Sequence, residues 1–287
     1  MTHIAPTPRA PARSARRPRM PITVGVSIAF LAVVAFLAIF GALVAPRGPG
    51  TTNLAIGLTT PNAEYWFGTD DLGRDVFSRV IFGARNALLG PLLIALGAFL
   101  IGNTLGLVAG YRGGLIDATI MRWVDLMYAL PGLLVTIVLI GVLGGSYLLA
   151  VIVLIVLTSP FDTRIVRGAT LEQRPLPYVE AARALGLSNR KILFRHIFPN
   201  VLPITFANTC LTFAFSLVAL SALSFLGLGI GPGSADWGRM LAESRLLLFE
   251  NPAAALAPGA MIILTATSMN IIGDWLYDRL ADRGRAR

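Results

Sequence analysis

Long apolar runs separated by polar segments are the main pattern of this sequence. About 20 helical residues cross the hydrocarbon core of a bilayer, which is roughly 30 Å thick, and six runs approach or exceed that length. They cover residues 22–44, 87–109, 123–143, 146–161, 204–226 and 254–276. The fourth run is the shortest, and we expect its helix to end at Pro160. The pattern predicts an all-α polytopic membrane protein with six transmembrane helices.

The polar segments between these runs set the organisation of the chain. The membrane domain covers residues 22–276, between a basic tail at 1–21 and a short tail at 277–287. Its three longest polar segments are predicted loops. They are an external loop at 45–86, a cytoplasmic loop at 162–203 and an external loop at 227–253.

Basic residues predict the orientation of the chain. With the N-terminus in the cytoplasm, the inner segments hold 18 of the 24 Lys and Arg residues, in agreement with the positive-inside rule. A chain with five spans would put the cations of the central loop or of the C-terminal tail on the wrong side. The first apolar run is too long for the apolar part of a cleaved signal peptide, so we expect a retained anchor. Both termini are predicted to be cytoplasmic.

Composition agrees with a membrane protein and excludes other classes. The chain is 55% apolar and 14% charged, with a mean hydropathy of +0.71, which is too apolar for an ordinary soluble core. Its net charge of +9 is scattered over separate loops, which argues against a nucleic-acid surface. Cys210 is the single cysteine, so the sequence holds no disulfide framework.

The residue patterns that enzymes and metal sites need are missing from the sequence. Lys191 is the only lysine, and its neighbours do not form a phosphate-binding loop. The two histidines, His3 and His196, lie far apart in the chain and offer no metal-ligand or acid–base pair. The spans hold no Ser/Lys, paired-aspartate or zinc-protease arrangement. The sequence therefore predicts no catalytic residue, no cofactor site and no metal site.

Residues 177–203, which we call the elbow, form a charged segment between two apolar runs. Pro177 suits the first turn of a helix, and Gly186 suits the left-handed position that ends one. Ser188 is the predicted cap of a second short helix that ends as Pro199 is reached. On the first helix Ala181, Ala184 and Leu185 share one face. A connector lying on the bilayer would carry bulky apolar side chains there, so this face predicts contact with a partner protein.

The elbow resembles a known motif. Its sequences "EAARALG" and "HIFPNVLP" are similar to the EAA loop of permease subunits of bacterial binding-protein-dependent ABC importers. The matching positions are Glu180, Ala181, Ala182, Gly186 and Pro199. His196 and Phe198 depart from the general motif, although a histidine at the first position is familiar in the peptide-permease branch. The resemblance implies that the elbow is a coupling element seated in a cleft of a cytoplasmic ATPase subunit.

The resemblance extends over nearly the whole chain after the N-terminal tail. The stretches "WFGTDDLGRDVFSRVIFGAR" and "SFLGLGIGPGSADWGRML" are similar to signatures of the second, C-type permease of dipeptide, oligopeptide and nickel importers. This implies a non-enzymatic subunit of a transporter of the bacterial inner membrane, with ATP and Mg²⁺ bound on partner subunits. The implied partners are a homologous second permease in a heterodimer, two cytoplasmic ATPase subunits and an external substrate-binding protein.

The external signatures carry both signs of charge in turn-rich surroundings. We expect a rigid, salt-bridged surface for the binding protein, formed by Asp70, Asp71, Arg74, Asp75 and Trp237. Support of the permease fold is the alternative, and a calcium loop would need more regularly placed oxygen ligands. Asp236 is the predicted cap of a short helix whose Trp237 and Leu241 anchor it at the membrane interface.

Two stripes of residues run along predicted spans. Gly102, Gly106 and Gly110 on the second span predict close packing of another helix. The stripe on the fifth span is polar and consists of Thr205, Asn208, Thr212 and Ser216. It lines a solute pathway or forms hydrogen bonds with neighbouring helices, and the sequence leaves both interpretations open.

The choice of solute depends on the groups that line its path. A peptide backbone needs a hydrated path, which the polar stripe would partly supply, whereas a metal ion would need ligands that the spans lack apart from Cys210. Peptides are therefore favoured, with nickel or glutathione as alternatives. A self-sufficient secondary transporter is the other class of function. It would show internal repeats and ionisable residues at mid-span, and the sequence predicts neither.

Overall fold

The computed structural model describes residues 20–231 and 233–285, with side chains described as far as residue 280. This part of the chain is helical and contains no β-strand. Its helices are α1 (Ile22–Val44), α2 (Val76–Arg112), α3 (Gly114–Tyr128), α4 (Gly132–Leu143), α5 (Tyr147–Gln173), α6 (Pro177–Ala184), α7 (Asn189–Ile192), α8 (Phe198–Phe225), α9 (Trp237–Ser244) and α10 (Pro252–Arg285), with a π-helical turn at Leu193–Ile197.

The helices account for the six predicted spans. The helices α1, α2, α5, α8 and α10 are each long and apolar enough to cross a membrane. The third predicted span is not one helix, because α3 and α4 meet at an angle of 79°. Pro131 immediately precedes α4, and its missing N–H and fixed φ break the helix at this position. The count becomes six when this bent pair is taken as one span.

The second span begins 11 residues earlier than predicted. Asp75 caps α2, because its carboxylate accepts a hydrogen bond from the backbone N–H of Ser78, with 3.1 Å between Oδ2 and N. The predicted external loop at 45–86 therefore ends at residue 75. The sequence pattern missed these turns because they carry Arg79 and Arg85, and Arg79 is buried in the protein instead of facing lipid.

The fourth span does not end at Pro160. Proline cannot donate to the carbonyl four residues earlier, which is that of Val156. The hydroxyl of Ser159 donates to this carbonyl oxygen, with 3.0 Å between the two oxygen atoms. The freed acceptor is thereby satisfied, and α5 continues through Pro160 to Gln173. Asp162, which we expected in the cytoplasmic loop, consequently lies inside a long helix.

The second helix of the elbow also continues where the sequence predicted an end. After α7 the chain passes through the π-helical turn and directly into α8. Pro199 lies in the first turn of α8, where a missing N–H costs little. The wide π turn accommodates this change, because the N–H of Phe198 bonds to the carbonyl oxygen of Leu193, five residues earlier.

The glycine stripe lies at the contact between α2 and α5. A Cβ atom at Gly106 would lie 2.6 Å from the Cβ of Val166, and one at Gly110 would lie 2.7 Å from the Cβ of Thr170. A Cβ at Gly102 would collide with Asp162 in the same way. Any larger residue would force the helices apart, so the stripe sets their separation.

The two ends of the bundle are distinct, since α8 is 28 residues long and separates α6 from α9 by about 40 Å. The α9 end holds an apolar cluster built on Val76, Val80, Trp237 and Met240. The α6 end holds a second cluster, in which residues of the elbow pack against α2 and α5. Both ends are therefore firmly attached to the membrane helices.

Candidate functional site

The turn at Gly186 gives the elbow its shape. Gly186 has a φ of +72°, in the left-handed region that glycine favours. Its N–H bonds to the carbonyl of Arg183 at 2.9 Å, and the N–H of Leu187 bonds to that of Ala182 at 3.2 Å. This pair of bonds is a Schellman motif, which satisfies the last carbonyls of α6. The hydroxyl of Ser188 then caps α7 through the N–H of Lys191, as predicted.

One face of α6 is free for a partner. Ala181, Ala184 and Leu185 are exposed, and Leu185 is 79% exposed. Glu180 is also exposed, in the first turn of α6, where a negative charge complements the helix dipole. Together these residues present a small apolar face with one carboxylate beside it. Such a face suits a protein cleft better than open water.

The other face of α6 holds the helix on the bundle. Val179 and Ala182 are buried in the cluster at the α6 end, beside Val166 of α5 and Ile197. Ala182 is a matching position of the coupling-loop motif, and it is only 4% exposed. It therefore anchors α6 and does not offer its methyl group to a partner.

Hydrogen bonds also tie the elbow to the membrane helices. The hydroxyl of Tyr111, at the end of α2, donates to Oδ1 of Asn189 at 2.8 Å. The Tyr178 hydroxyl donates to Oε1 of Gln173, also at 2.8 Å, and accepts from Nδ2 of Asn200 at 3.2 Å. Burial raises the pKa of Tyr178, so the phenol stays neutral and able to donate. These bonds connect α6 and α7 to α2, α5 and α8. A displacement of α6 is therefore transmitted to three spans.

An ionic cluster with a buried centre occupies the α9 end of the bundle. Its members are Asp70, Arg74, Arg79, Arg239 and Glu243. Glu243 accepts from Arg74 at 2.9 Å, from Arg79 at 2.8 Å and from Arg239 at 3.0 Å. Asp70 accepts from Nε of Arg74 at 2.6 Å and lies 3.7 Å from Arg79. The cluster joins the segment before α2 to α9.

This burial changes the interpretation of the predicted external surface. Of its five residues, Asp71 alone has an exposed side chain. Asp70, Arg74 and Asp75 are 3–4% exposed, and Trp237 is fully buried. The expectation of an exposed, salt-bridged surface is wrong for these four residues, because their partners lie within the chain. They hold the α9 end together, which matches the alternative of support for the fold.

The short helix α9 forms as predicted, but its Trp237 is buried in the bundle and is not an interface anchor. Asp236 caps it, accepting from the N–H of Arg239 at 3.0 Å. The indole N–H of Trp237 donates to the carbonyl oxygen of Val80 at 2.9 Å, so the ring packs inside the bundle against α2. Burial raises the pKa of Asp236, an effect that the hydrogen bond from the Arg239 N–H partly offsets.

The polar stripe of α8 is buried inside the chain. Asn208 donates to Oδ1 of Asp162 at 2.5 Å, and Thr212 donates to the same oxygen at 3.2 Å. Thr205 donates to the carbonyl of Leu202 at 2.9 Å, and Ser216 is fully buried. Hydrogen bonding between helices, one of the two interpretations of the stripe, therefore applies to Asn208 and Thr212. Thr212 also lines a cavity between α5 and α8.

The sequence pattern did not indicate a role for three residues that the structure shows to be important. They are Arg79, Asp162 and Glu243. Asp162 contradicts the expectation of no ionisable residue within a span. The signal for it was the polar stripe itself, since buried amide and hydroxyl groups need partners on a neighbouring helix. Arg79 and Glu243 are 164 residues apart, and nothing local in the sequence pairs them.

Within the described side chains, no group of three or more His, Cys, Asp and Glu residues comes together as a metal site would require. The arrangement instead offers two kinds of surface. The elbow presents an exposed face of a helix that is packed on the bundle. In addition, α5 and α8 line a cavity within the span region.

Comparison with known proteins identifies the family. The family described as "Binding-protein-dependent transport system inner membrane component" matches residues 102–285, more than half of the chain. The chain belongs to this family. The permease is 39% identical over 244 residues to the dipeptide transport system permease protein of Alkalihalophilus pseudofirmus, covering 85% of this chain and 80% of that one. It is 36% identical over 260 residues to the probable D,D-dipeptide transport system permease protein of Escherichia coli K12, covering 91% and 87%.

A third relative is similar in sequence, and a solved transporter structure is similar in fold. The permease is 38% identical over 220 residues to the glutathione transport system permease protein of Pectobacterium atrosepticum, covering 77% of this chain and 73% of that one. Its fold is similar to that of the MetNI methionine ABC transporter in inward-facing conformations, with a TM-score of 0.57 and 18% identity over 70% of this chain and 96% of that chain. The permease is thus a multi-pass protein of the inner membrane with an ABC-permease fold.

Proposed function

We propose that this permease forms half of the translocation pathway of an ATP-driven importer of short peptides. The observation that carries the proposal is the elbow. Its exposed face lies on a helix that a buried cluster and three hydrogen bonds attach to α2, α5 and α8. A partner that moves α6 would therefore move the spans with it.

The energy for this movement comes from partner subunits. The resemblance of the elbow to the EAA loop supports two cytoplasmic ATPase subunits that bind ATP and Mg²⁺. The family description supports a transport role for this chain, without an enzymatic step of its own. A homologous second permease would complete the pathway as a heterodimer. An external substrate-binding protein would deliver the solute, and Asp71 is the predicted contact residue that remains exposed.

The orientation follows from the distribution of basic residues. Both termini and the elbow are cytoplasmic, and the α9 end is external. Single cysteines in a Cys210→Ser background test this. An impermeant thiol reagent applied to intact cells should label Gly48→Cys and Gly233→Cys but not Arg183→Cys, and labelling of the last from outside would reverse the orientation.

Short peptides are the substrate class that the relatives favour. Two relatives are named for dipeptides or D,D-dipeptides and a third for glutathione, which is itself a tripeptide. Uptake of labelled di- to pentapeptides, glutathione and nickel should be compared in cells with and without the gene. Loss of peptide uptake is the expected result. Loss of nickel accumulation with peptide import intact would contradict the proposal.

A further inference from the structure

A groove runs between α5 and α8, on a side where Phe161, Leu211 and Phe215 are exposed. Its main cavity of about 370 Å³ is lined by Leu157, Thr158, Phe161, Leu211, Thr212 and Phe215. A second cavity of about 140 Å³ shares Leu157 and Phe161 and reaches the break between α3 and α4. The groove is mainly apolar, and two threonine hydroxyls are its polar groups. Thr158 donates its hydroxyl hydrogen to the carbonyl of Leu154 at 2.7 Å.

A buried carboxylate lies directly behind this groove. Asp162 is 3% exposed, and the Thr212 hydroxyl donates to it from the groove wall at 3.2 Å. Within residues 20–231 and 233–280, no Arg, Lys or His side chain forms an ion pair with Asp162. A second polar atom, Oδ1 of Asn208, is buried beside it and accepts no hydrogen bond. Burying a carboxylate without a cation, or an amide oxygen without a hydrogen-bond donor, costs free energy.

The groove and the carboxylate together define the chemistry of an occupant. The wall suits a large apolar side chain, and the carboxylate suits a cation, since its field is strong in surroundings of low polarity. Thr212 links the carboxylate to the groove. Its hydroxyl donates a hydrogen bond to Asp162, and the same oxygen atom can accept a hydrogen bond from a ligand. A lipid acyl chain would fill the apolar wall but offer no donor to Thr212.

We propose that this groove is a subsite for the N-terminal residue of a passing peptide, whose ammonium group bonds to Thr212 over Asp162 while its apolar side chain packs between Phe161 and Phe215. This inference rests on the proposed function, because it assumes that the solute is a peptide. It adds that the permease itself selects its peptides, by preferring those with a free amino terminus and a large apolar first side chain.

The test uses the complete transporter complex in lipid nanodiscs without nucleotide, so that peptides reach the pathway from either side. Phe215→Cys in a Cys210→Ser background places a thiol in the groove, at a position 63% exposed in this chain. The measurement is its rate of alkylation by a maleimide, with Leu-Leu, Ala-Ala or N-acetyl-Leu-Leu added. Phe206→Cys is the matched control, because Phe206 is also exposed on α8, on the side opposite Phe215.

Leu-Leu should slow alkylation of Phe215→Cys and leave Phe206→Cys unaffected. N-acetyl-Leu-Leu should require a roughly tenfold or higher concentration for the same protection, the factor expected for one hydrogen bond to a charged group. Ala-Ala should also protect less. Asp162→Asn should remove the difference between free and acetylated peptide. Thr212→Val, which preserves the shape of the side chain, should also remove this difference. It replaces Asp162→Asn in the test if that variant does not assemble.

Equal protection by free and acetylated Leu-Leu would overturn the inference, and so would no protection by either. A thiol that does not react even without peptide would show that the second permease or lipid fills the groove, which also overturns it. The proposed function is judged separately, by peptide uptake in cells. Intact uptake without protection refutes only the subsite, whereas absent uptake refutes the function.

Discussion

Arg74 and Glu243 lie 169 residues apart in the chain, yet Nη2 of the first is 2.9 Å from Oε2 of the second. The bond joins the segment before α2 to α9. Arg79 and Arg239 bond to the same carboxylate, so Glu243 is the shared acceptor of three guanidinium groups. One side chain therefore links three arginines at the α9 end of the bundle.

Neutralising Glu243 should destabilise the permease. Glu243→Gln keeps one acceptor oxygen but removes the charge, so Asp70 is the remaining anion of the cluster for three arginines. Breaking a buried ion pair costs about 3 kcal/mol or more. Thermal unfolding of the purified complex should show a clear drop in Tm. Glu250→Gln is the matched control, since Glu250 is exposed on the loop that follows α9, and its effect should stay within about 0.5 kcal/mol. Equal Tm values for the two variants would contradict a supporting role for the cluster.

Substitution of Gly186 should uncouple the elbow without affecting insertion. A Cβ at Gly186 meets no atom within 4 Å, so the cost comes only from the φ of +72°. That cost is about 1–2 kcal/mol for most residues and least for Asn. Transport should fall in the order Asn, Ala, Val, while membrane levels stay normal. Wild-type transport by Gly186→Val would show that the turn does not matter.

Charge reversal on the exposed face of α6 should weaken assembly with the ATPase subunits. Glu180→Lys puts a cation at the positive end of a helix and in the proposed interface. Glu172→Lys is the control, because Glu172 is also exposed but lies before the elbow, near the end of α5. Co-purification of the ATPase subunits should decrease for the first variant alone. A similar loss in both would point to a general charge effect.

The pH dependence of stability should report on Asp236. Its pKa is raised in the folded protein, so the folded state binds more protons than the unfolded state between the two pKa values. Stability from this group is complete below the ordinary pKa near 3.8 and is lost as pH rises through the folded pKa. Asp236→Asn keeps the helix cap and removes the titration. It should flatten the decline of Tm with rising pH over this window, and an unchanged pH profile would contradict the assignment.

The membrane helices were predictable because their signal is local. Apolar length locates the five long membrane helices and the bent pair of α3 and α4. The turn at Gly186 and the caps at Ser188 and Asp236 follow from single residue types. The breaks at prolines were less predictable. Pro131 ends a helix, whereas Pro160 does not, because the Ser159 hydroxyl takes the freed carbonyl in the second case. Local sequence does not show which outcome tertiary packing allows.

The sites were harder to predict than the spans because their partners are distant in sequence. Asp70, Arg74 and Asp75 look like surface residues, since charged residues usually are. Asp70 and Arg74 are buried because they pair with Arg79 and with Glu243 far along the chain, whereas Asp75 is buried where it caps α2 through Ser78. Asp162 was placed in a loop because Pro160 was expected to end the helix, and its bonds to Asn208 and Thr212 appear only when α5 and α8 meet.

The central claim is that ATP hydrolysis on partner subunits drives peptide import through this permease by way of the elbow. The most direct measurement is uptake of labelled Leu-Leu into proteoliposomes that contain the purified complex and its binding protein, with either wild-type permease or Gly186→Val. Uptake should require ATP, should not respond to an imposed ion gradient, and should fall in the variant although the complex is present at the same level. Uptake by the permease alone, driven by an ion gradient without ATP, would contradict the account.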